Sequence, residues 1–335
     1  TTLWKMLSDD QCEEIFMTVL EVLERTGVEV ENKEALELFE KGGCWVDGNR
    51  VRIPSALSEW AVRTSPSRIT LCDRNGKRAL TLETTNAYYG PGHDNVNILD
   101  PLSGEIRKPV KSDVVNTAII CDGLKNIDFA MNNGLPTDVD PAVAEIHAFE
   151  ALVSNTTKPI VQSVKTVQQA ETIVEMAVAI AGGLKELQKN PFVALYIETE
   201  GTLVHSEETL AKVIFAAKSG IPFVYATKLV AGDTAPATPA GAIVVAAADV
   251  LVGVLLAQLV RQGAPVIAGA FFTIDDKANG IKPLGAPEVE LMGTGFANMM
   301  RYLRLPNFGF AGATDAKISD AQMGLESAFS ILHAG

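Results

Sequence analysis

Aromatic and charged side chains recur in this sequence at the ends of apolar, strand-like runs. FVALYIE ends on Glu198, with Glu200 two residues later; IPFVYAT leads into Lys228; and APVIAGAFF contains Phe271 and Phe272. Aromatic residues make up only 6% of the chain, so their presence at these positions is selective. Rings and carboxylates side by side favour the binding of a cation that has apolar faces.

The elements that must position these residues form a series of strand and helix units. From Ile127 onward six apolar runs each precede a helix-like segment, with about 30 to 45 residues between run starts. Uniformly apolar runs introduced by proline predict a parallel sheet covered by helices. No G-x-G-x-x-G follows the first run, so a dinucleotide-binding fold is not favoured. In a barrel of such units, catalytic groups come from the carboxyl ends of the strands.

These units predict an α/β fold of the TIM type, a (β/α)8 barrel with an N-terminal α+β extension. Residues 1–110 are predicted to form the extension and residues 111–335 the barrel. An amphipathic helix from about Ser8 to Gly27, capped by Ser8 or Asp9, opens the extension. A closed barrel needs eight strands and six units are recognisable, so either the extension supplies two strands or the barrel lacks its last units in this chain; we expect the second.

Composition and charge exclude several classes of partner. The formal charge of −13 over 335 residues disfavours nucleic acid and anionic membranes. Cys12, Cys44, Cys72 and Cys121 show no C-x-x-C spacing and no nearby histidine cluster, so we expect reduced thiols and no metal site. The sequence does not open with an export signal, which predicts a cytoplasmic protein.

One segment, Ala240 to Val260, is apolar enough to suggest a membrane span. Asp249 lies at its centre, and a carboxylate there costs about 3 kcal/mol in lipid. We therefore predict a helix buried inside protein and no membrane partner. Because this helix is too apolar to face water on any side, we also predict a homo-oligomer.

Several longer motifs resemble one known family. The segment AGDTAPATPAGAIVVAAADVLVGVLLAQLVRQGAPVIAG resembles the signature of the trimethylamine methyltransferase family. MLSDDQCEEIFMTVLEVLERTGVEV, YYGPGHDNVNILDPLSGEIRKPVKSD, NTTKPIV, GAPEVEL and LPNFGFAGATDAKISDAQMGLES resemble it in the same order, over essentially the whole chain. Trimethylamine-specific members carry pyrrolysine, whereas this sequence has no nonstandard residue, so the resemblance implies a quaternary amine such as glycine betaine. IETEGTL stands where relatives have a Ser-Pro-Leu-like turn, and Ala278 where an arginine is common.

The reaction that the resemblance implies moves a methyl group from a quaternary nitrogen to the Co(I) of a corrinoid carried by a separate protein. This chain is then expected to bind no cofactor or metal itself. A quaternary nitrogen has no lone pair to protonate, so we expect an aromatic cage, with carboxylates set back so that they do not over-stabilise the substrate. The cage candidates are Tyr88, Tyr89, Phe271, Phe272 and Phe310; the set-back anions are Glu198, Glu200 and Asp276; and Lys228 or Lys317 would meet a substrate carboxylate.

The loop from Ala231 to Ala242 has no bulky side chain and lies between an apolar strand and the apolar helix. A corrinoid ring is broad and flat, so a bare, rigid rim would let it come close enough for methyl transfer. The residues assigned to this approach are Gly232, Asp233, Thr234 and Pro236. The alternative is a plain helix-entry loop with Pro239 in the first turn.

Two other functions fit the same residues. Lys165, Lys228 and Lys317 are placed as strand-end lysines of a class I aldolase would be, where an amine forms a Schiff base with a carbonyl substrate. The chain could also be a quaternary-amine-binding fragment without catalytic activity.

Overall fold

The elements of the first 110 residues are short helices and hairpins. These elements are described by a computed structural model that covers residues 5–83, 86–93 and 95–334, so Asp94 of the motifs quoted above lies outside the described residues. In chain order they are α1 (Asp9–Glu21), a π-helical turn (Val22–Thr26), β1 (Val28–Val30), α2 (Lys33–Lys41), β2 (Trp45–Asp47), β3 (Arg50–Arg52), α3 (Ser55–Thr64), β4 (Ile69–Cys72), β5 (Arg78–Leu82), β6 (Ile98–Leu99) and β7 (Ile106–Arg107).

The predicted first helix is present, with its start fixed by a capping box. The Ser8 hydroxyl accepts from the Gln11 amide at 3.2 Å, and the Ser8 amide donates to Oε1 of Gln11 at 2.9 Å. The π-helical turn completes the helix before Gly27, which has φ 71°. Ser8 rather than Asp9 is therefore the cap.

The remaining elements alternate between strands and helices. They are α4 (Lys111–Gly123), a 3-10 turn (Pro141–Val143), α5 (Ala144–Asn155), β8 (Ile160–Ser163), α6 (Val167–Ala181), α7 (Leu184–Lys189), β9 (Val193–Glu198), β10 (Val204–His205), α8 (Glu207–Ser219), β11 (Phe223–Ala231), α9 (Pro239–Val260), β12 (Val266–Ile274), α10 (Pro287–Tyr302), β13 (Asn307–Phe308) and α11 (Ala321–Ala334).

Five of these strands form one parallel sheet in the order β13-β12-β11-β9-β8. The prediction of an α/β protein with a parallel sheet is confirmed. Among the described residues, the first predicted run, IDFAMNN, contributes a single parallel bridge, from Ala130 to Ile160 at the β8 edge. Within residues 5–334, apart from the gaps given above, the two edges of the sheet do not pair with each other, so the sheet stays open.

Both faces of this sheet are covered, by different parts of the chain. Helices cover the outer face, where the larger apolar core lies. The inner face is covered by the β4–β5 hairpin, whose Ile69, Leu71 and Leu80 pack with Val161 and Val224 of the sheet. The extension also reaches the strand-end loops, since β1 pairs in parallel with β10. The boundary near residue 110 thus stays a prediction, because the two parts share their cores.

The apolar helix α9 is a core helix within one chain. Its most apolar 18-residue window has a mean hydropathy of 2.5, enough to cross a membrane by composition, but 83% of that window is buried in protein. The elements packed around it are α1, α2, α3, α8, α10, β11 and β12. Since the chain itself covers α9, the apolarity of this helix gives no reason for a second subunit, and the oligomer stays a prediction.

A glycine lets α9 approach the sheet closely. A Cβ at Gly253 would lie 2.3 Å from the ring of Tyr225 on β11, which is shorter than the contacts that real Cβ atoms make. Glycine in a helix interior costs about 1 kcal/mol relative to alanine. The close packing of α9 on β11 explains why a glycine is found there.

Candidate active site

Aromatic side chains gather on the inner face of the sheet, near the carboxyl ends of its strands. Tyr196 on β9 lies 6.1 Å from Phe271 on β12 and 5.9 Å from Phe308 on β13, measured between ring centroids. Phe310, in the loop after β13, lies 4.4 Å from Phe271. We call Tyr196, Phe271, Phe308 and Phe310 the ring cluster. Side chains alternate along a strand, so Tyr196 and Phe271 point to the same side of the sheet as Glu198 and Lys228.

A cavity of about 300 Å³ opens beside Tyr196, at the ends of β8 and β9. We call it the acidic cavity, because three glutamates are among its lining residues. Those residues are His93, Ser163, Val164, Lys165, Tyr196, Glu198, Glu200, Ser206, Glu208, Thr209 and Lys212. The ring of His93 lies 4.2 Å from that of Tyr196, so the segment after Tyr88 closes one side of the cavity.

The three glutamates differ in how the protein holds them. Glu200 accepts from the Ser206 amide at 3.2 Å and from the Thr209 hydroxyl at 3.4 Å. Glu208 accepts from the amide of Val167. Glu198 accepts a longer bond, at 3.5 Å, from the hydroxyl of Tyr196. The carboxylate nearest the ring cluster is thus held least tightly and is the one best placed to face a ligand.

A buried lysine forms the back of the acidic cavity. Lys212, on α8, is 5% exposed and donates to the carbonyl oxygens of Val164 and Lys165, both at 3.1 Å. Burial lowers its pKa, and the nearby glutamates, Glu208 first, act in the opposite direction. Its two hydrogen bonds fix the chain where it leaves β8.

The sheet is taller on one side of the cavity than on the other. Glu198, at the end of β9, pairs in register with Ala226, and β11 continues from there to Ala231. At 3.3 Å per residue this wall rises roughly 16 Å above Glu198. Lys228 is exposed on the wall, opposite Phe271 in register.

The bare loop forms the top of this wall. Gly232, Asp233, Thr234 and Pro236 are all exposed, and Gly232 has φ 87°. The turn is fixed from within, since the Val230 amide donates to the Thr234 hydroxyl at 2.8 Å. Asp233 lies 3.2 Å from Nζ of Lys282 in the next loop.

The structure brings together part of the predicted substrate site. Phe271 and Phe310 belong to the ring cluster, while Glu198 and Glu200 line the acidic cavity. Tyr88 packs against the inner-face core, with its hydroxyl accepting from the Thr81 amide at 3.1 Å.

Four of the predicted residues lie elsewhere. Phe272 faces the helices, 2% exposed, with its ring 6.2 Å from that of Phe296, because neighbouring strand residues point to opposite faces. The Tyr89 hydroxyl donates to the Ile331 carbonyl of α11 at 3.1 Å. Asp276 accepts from Asn279 and Ala278 of its own loop, at 2.8 and 3.0 Å, and Lys317 is exposed in the loop before α11.

Sequence reasoning missed Tyr196, Phe308, His93 and Lys212. Tyr196 alternates with Glu198 in VALYIE, so the parity of one strand places it on the inner face. His93 lies inside the YYGPGH motif. Lys212 offers no comparable signal, because its role depends on how α8 packs against the end of β8.

No cysteine is among the described residues that line the acidic cavity. The four cysteines are buried and form no disulfide, and burial raises the pKa of the Cys44 thiol to about 12. Among the residues that the structure describes, no group of three or more His, Cys, Asp or Glu side chains is arranged to hold a metal ion.

Known proteins that are similar to this chain are named as methyltransferases. A family model described as "Trimethylamine methyltransferase (MTTB)" matches residues 1–335. The chain is 34% identical over 317 residues to "Trimethylamine methyltransferase MttB" of Desulfitobacterium hafniense (strain DSM 10664 / DCB-2), covering 94% of this chain and 64% of that protein. It is 29% identical over 332 residues to "Glycine betaine methyltransferase" of Desulfitobacterium hafniense (strain Y51), covering 99% of this chain and 69% of the relative.

Solved structures extend the likeness to the fold. The chain is similar to the hydroxylamine complex of MtmB, with TM-score 0.56 and 12% identity, over 97% of this chain and 80% of the other. It is also similar to the Methanosarcina barkeri monomethylamine methyltransferase (MtmB), with TM-score 0.55 and 12% identity, over 91% of this chain and 69% of that one. At such low identity the likeness concerns the fold alone.

Proposed function

Because this chain belongs to the trimethylamine methyltransferase family, we propose that it takes a methyl group from a quaternary amine and passes it to the Co(I) of a corrinoid protein. The corrinoid is a substrate carried by the partner and not a cofactor of this chain. The glycine betaine methyltransferase among the relatives supports a quaternary substrate.

The proposed reaction needs no proton transfer. One carbon–nitrogen bond breaks, its electron pair stays on nitrogen, and a neutral tertiary amine leaves. Two electrons from Co(I) form the new carbon–cobalt bond, which gives methyl-Co(III). Positive charge at the nitrogen is lost on the way, so a counter-ion in tight contact would stabilise the substrate more than the transition state.

The observation that carries the proposal is the ring cluster beside Glu198. Each aromatic face attracts a quaternary ammonium by about 0.5–2 kcal/mol. Within the cluster, Tyr196 connects the phenylalanine rings with the carboxylate, since its hydroxyl lies 3.5 Å from Glu198 Oε2. This arrangement supplies ring faces for the methyl groups and one anion set back from them.

The tall wall beside the cavity suits an acceptor that arrives from solution. Its top is the bare loop with Gly232, Asp233, Thr234 and Pro236, where small, exposed side chains leave room for a flat macrocycle. Pro239 also occupies the first turn of α9, so helix entry accounts for part of this composition. We assign the loop both roles.

We also infer a larger architecture around the open sheet. Consecutive parallel strands in chain order, each followed by a helix, are what most of a (β/α)8 barrel supplies. The hydroxylamine complex of MtmB, which resembles this chain in fold, supports the inference. A cytoplasmic location and a homo-oligomer belong to the same proposal.

Under this proposal, Lys228 gives the protein a means of selecting among amines. It is exposed on the inner side of the wall, next in register to Phe271, where the carboxylate of a betaine bound at the rings would lie. A lysine there favours betaines over amines without a carboxylate. The Lys228→Met variant should therefore lose preference for betaines while keeping activity towards choline-like amines.

The deciding experiment incubates the chain with Co(I) cobalamin and a panel of methylated amines, and follows the cobalt absorbance. Methylation of cobalt by a quaternary amine, and not by trimethylamine, is the expected result. Betaine binding by calorimetry without methylation would instead favour the non-catalytic binding protein. Absence of both binding and methylation would refute the proposal.

The aldolase remains a second candidate because of Lys212. A buried amine with a lowered pKa is what a Schiff-base lysine needs, and this one lines the acidic cavity. Its two carbonyl partners, however, hold the amine in place as a hydrogen-bond donor. Borohydride trapping with small aldehydes and ketones should give no adduct; an adduct lost in Lys212→Met would favour the aldolase.

A further inference from the structure

We propose that Asp249, in the middle of the apolar helix α9, is a positioning residue that holds the turn Gly201–Leu203 and thereby sets Glu198 and Glu200 in the acidic cavity. The proposal rests on the function proposed above only for the role of those two glutamates. The position of the turn is a separate, measurable property.

The turn itself is conformationally demanding. Gly201, Thr202 and Leu203 have φ values of 80°, 58° and 63°, so three successive residues adopt the left-handed region. This region is unfavourable for residues with a Cβ, and two of the three are not glycine. Such a backbone persists only where surrounding contacts hold it.

The carboxylate of Asp249 supplies the contacts. Its Oδ1 accepts from the Leu203 amide at 2.8 Å, and its Oδ2 accepts from the Thr227 hydroxyl at 2.8 Å. Asp249 is fully buried in the helix, where a charged or polar group is costly unless it is hydrogen-bonded. A hydrophobic residue would serve the packing of α9 better, so the bond to the turn is the reason for an acid here.

The neighbouring histidine does not explain this carboxylate. His205 Nε2 lies 3.8 Å from Asp249 Oδ1, beyond a good hydrogen bond, and its Nδ1 lies 2.7 Å from the Tyr225 hydroxyl. The closest partners of Asp249 are therefore the turn and β11.

The turn is directly connected to the glutamates of the cavity. Glu200 immediately precedes Gly201, and Glu198 ends the strand that leads into the turn. Thr209 donates to the carbonyl of Glu198 at 3.3 Å and to the carboxylate of Glu200 at 3.4 Å. A shift of the turn would move both glutamates relative to Thr209 and to the rings.

The opposite side of the turn is packed against β11. A Cβ at Gly201 would lie 3.0 Å from the carbonyl oxygen of Lys228, so the turn has little room on that side. The carbonyl of Leu203 also accepts from the Glu29 amide at 2.8 Å. Asp249 thus completes a set of contacts that defines one position for the chain after β9.

The experiment compares amide hydrogen exchange at Leu203 in the wild type and in Asp249→Ala, Asp249→Asn and Val250→Ala. Val250 is equally buried on the same helix and serves as the control for a general loss of stability. Exchange at Leu203 should rise about 10- to 100-fold in Asp249→Ala, and stay within about 10-fold of wild type in Asp249→Asn, which keeps an acceptor oxygen. In Val250→Ala, exchange at Leu203 should rise no more than exchange elsewhere in the chain.

A second variant covers the case in which Asp249→Ala does not fold. Thr227→Val leaves the carboxylate with its bond to Leu203 but removes the hydroxyl that orients it, and should raise the exchange severalfold. Unchanged exchange at Leu203 in both Asp249→Ala and Thr227→Val would overturn the proposal.

Amine affinity gives the functional readout, kept separate from exchange. Asp249→Ala should weaken betaine binding, measured by calorimetry, while Asp249→Asn restores it and Val250→Ala leaves it unchanged. If the wild type binds no amine, the proposed function fails, yet the exchange comparison still decides whether Asp249 holds the turn. Equal loss of binding in Asp249→Ala and Val250→Ala would mean that Asp249 affects binding only through the general stability of the protein.

Discussion

Phe271 and Phe272 are neighbours in the chain and point to opposite sides of the sheet. Phe271 lies in the ring cluster, whereas Phe272 packs against Phe296 in the helical layer. Both are buried, at 5% and 2% exposure, and both are on β12. They therefore form a matched pair in which only the side of the sheet differs.

The Phe271→Leu variant should bind quaternary amines about 2- to 30-fold more weakly than the wild type. Leucine keeps an apolar side chain but lacks the ring face, which is worth about 0.5–2 kcal/mol to an ammonium. Calorimetric titration with a betaine provides the dissociation constant. Phe272→Leu should lower the melting temperature without changing that constant; equal affinities in both variants would mean that the cation binds elsewhere.

Asp249 and His205 are buried together and their pKa values shift in opposite senses. Burial raises the pKa of Asp249 to about 7, against the hydrogen bonds from Thr227 and Leu203, which lower it. Burial lowers the pKa of His205 to about 4. At neutral pH His205 is uncharged, so the two do not form an ion pair.

The Asp249→Asn variant should show a steeper rise of unfolding free energy between pH about 4 and 6.5 than the wild type. In this range folded Asp249 keeps a proton that the unfolded chain releases above 3.8, so its contribution to stability falls as pH rises. His205 acts oppositely, because the unfolded chain binds a proton below 6.5 and the folded chain does not. In Asp249→Asn the effect of His205 is unopposed, so the unfolding free energy rises with pH more steeply than in the wild type, by up to about 1.4 kcal/mol per pH unit.

Urea unfolding at several pH values measures this difference. Parallel profiles for the wild type and Asp249→Asn would show that the carboxyl titrates in its ordinary range in the folded protein.

At the residue scale, strand parity decides which of the predicted side chains share a face of the sheet. The rings of Phe271 and Phe310, two of the predicted strand-end residues, lie 4.4 Å apart, and Tyr196 connects Phe271 with the predicted Glu198. Phe272 is the chain neighbour of Phe271, but alternation along β12 puts it on the other face. Tyr196 was omitted although the same alternation pairs it with Glu198.

At the scale of elements, the local signals were strong enough to fix most boundaries. The capping box at Ser8 and the proline in the first turn of α9 both mark the starts of helices. The apolar pattern of IDFAMNN predicts a strand, but in the described part of the chain this run makes a single bridge, because strand formation depends on partners that a short run does not specify. The close contact of α9 with β11 could not be predicted, since it depends on three-dimensional packing.

The Gly253→Ala variant should lose about 1–3 kcal/mol of stability. Its methyl group would overlap the ring of Tyr225, and overpacking of a core has costs of this size. No atom of the described residues lies within 4 Å of the Cβ position of Gly293, in α10, which therefore provides the control. Gly293→Ala should gain up to about 1 kcal/mol from helix propensity, so opposite signs are expected in denaturant unfolding. Two stabilised variants would mean that α9 can move away from the sheet.

At the scale of the whole molecule, the first helices and the later sheet form one core. α1, α2 and α3 cover α9, and β1 pairs with β10. The three tryptophans, Trp4, Trp45 and Trp60, all lie in the first 60 residues, whereas most of the helical structure follows them. Tryptophan fluorescence therefore reports on the first 60 residues, whereas the circular dichroism signal comes mostly from the rest of the chain.

Unfolding followed by these two signals should give coincident transitions in guanidinium. The extension cannot leave α9 without exposing its apolar surface to water, so the two parts should unfold together. A fluorescence midpoint at lower denaturant than the circular dichroism midpoint would show that residues 1–110 unfold as a separate domain.

The glycine under the Tyr225 ring also constrains how sequences with this fold diverge. A residue larger than alanine at position 253 is tolerated only after position 225 has become smaller, and that first step removes the hydrogen bond between Tyr225 and His205. Evolution must therefore alter these positions in a set order, and distant homologues should carry either the glycine–tyrosine pair or a coordinated replacement of both.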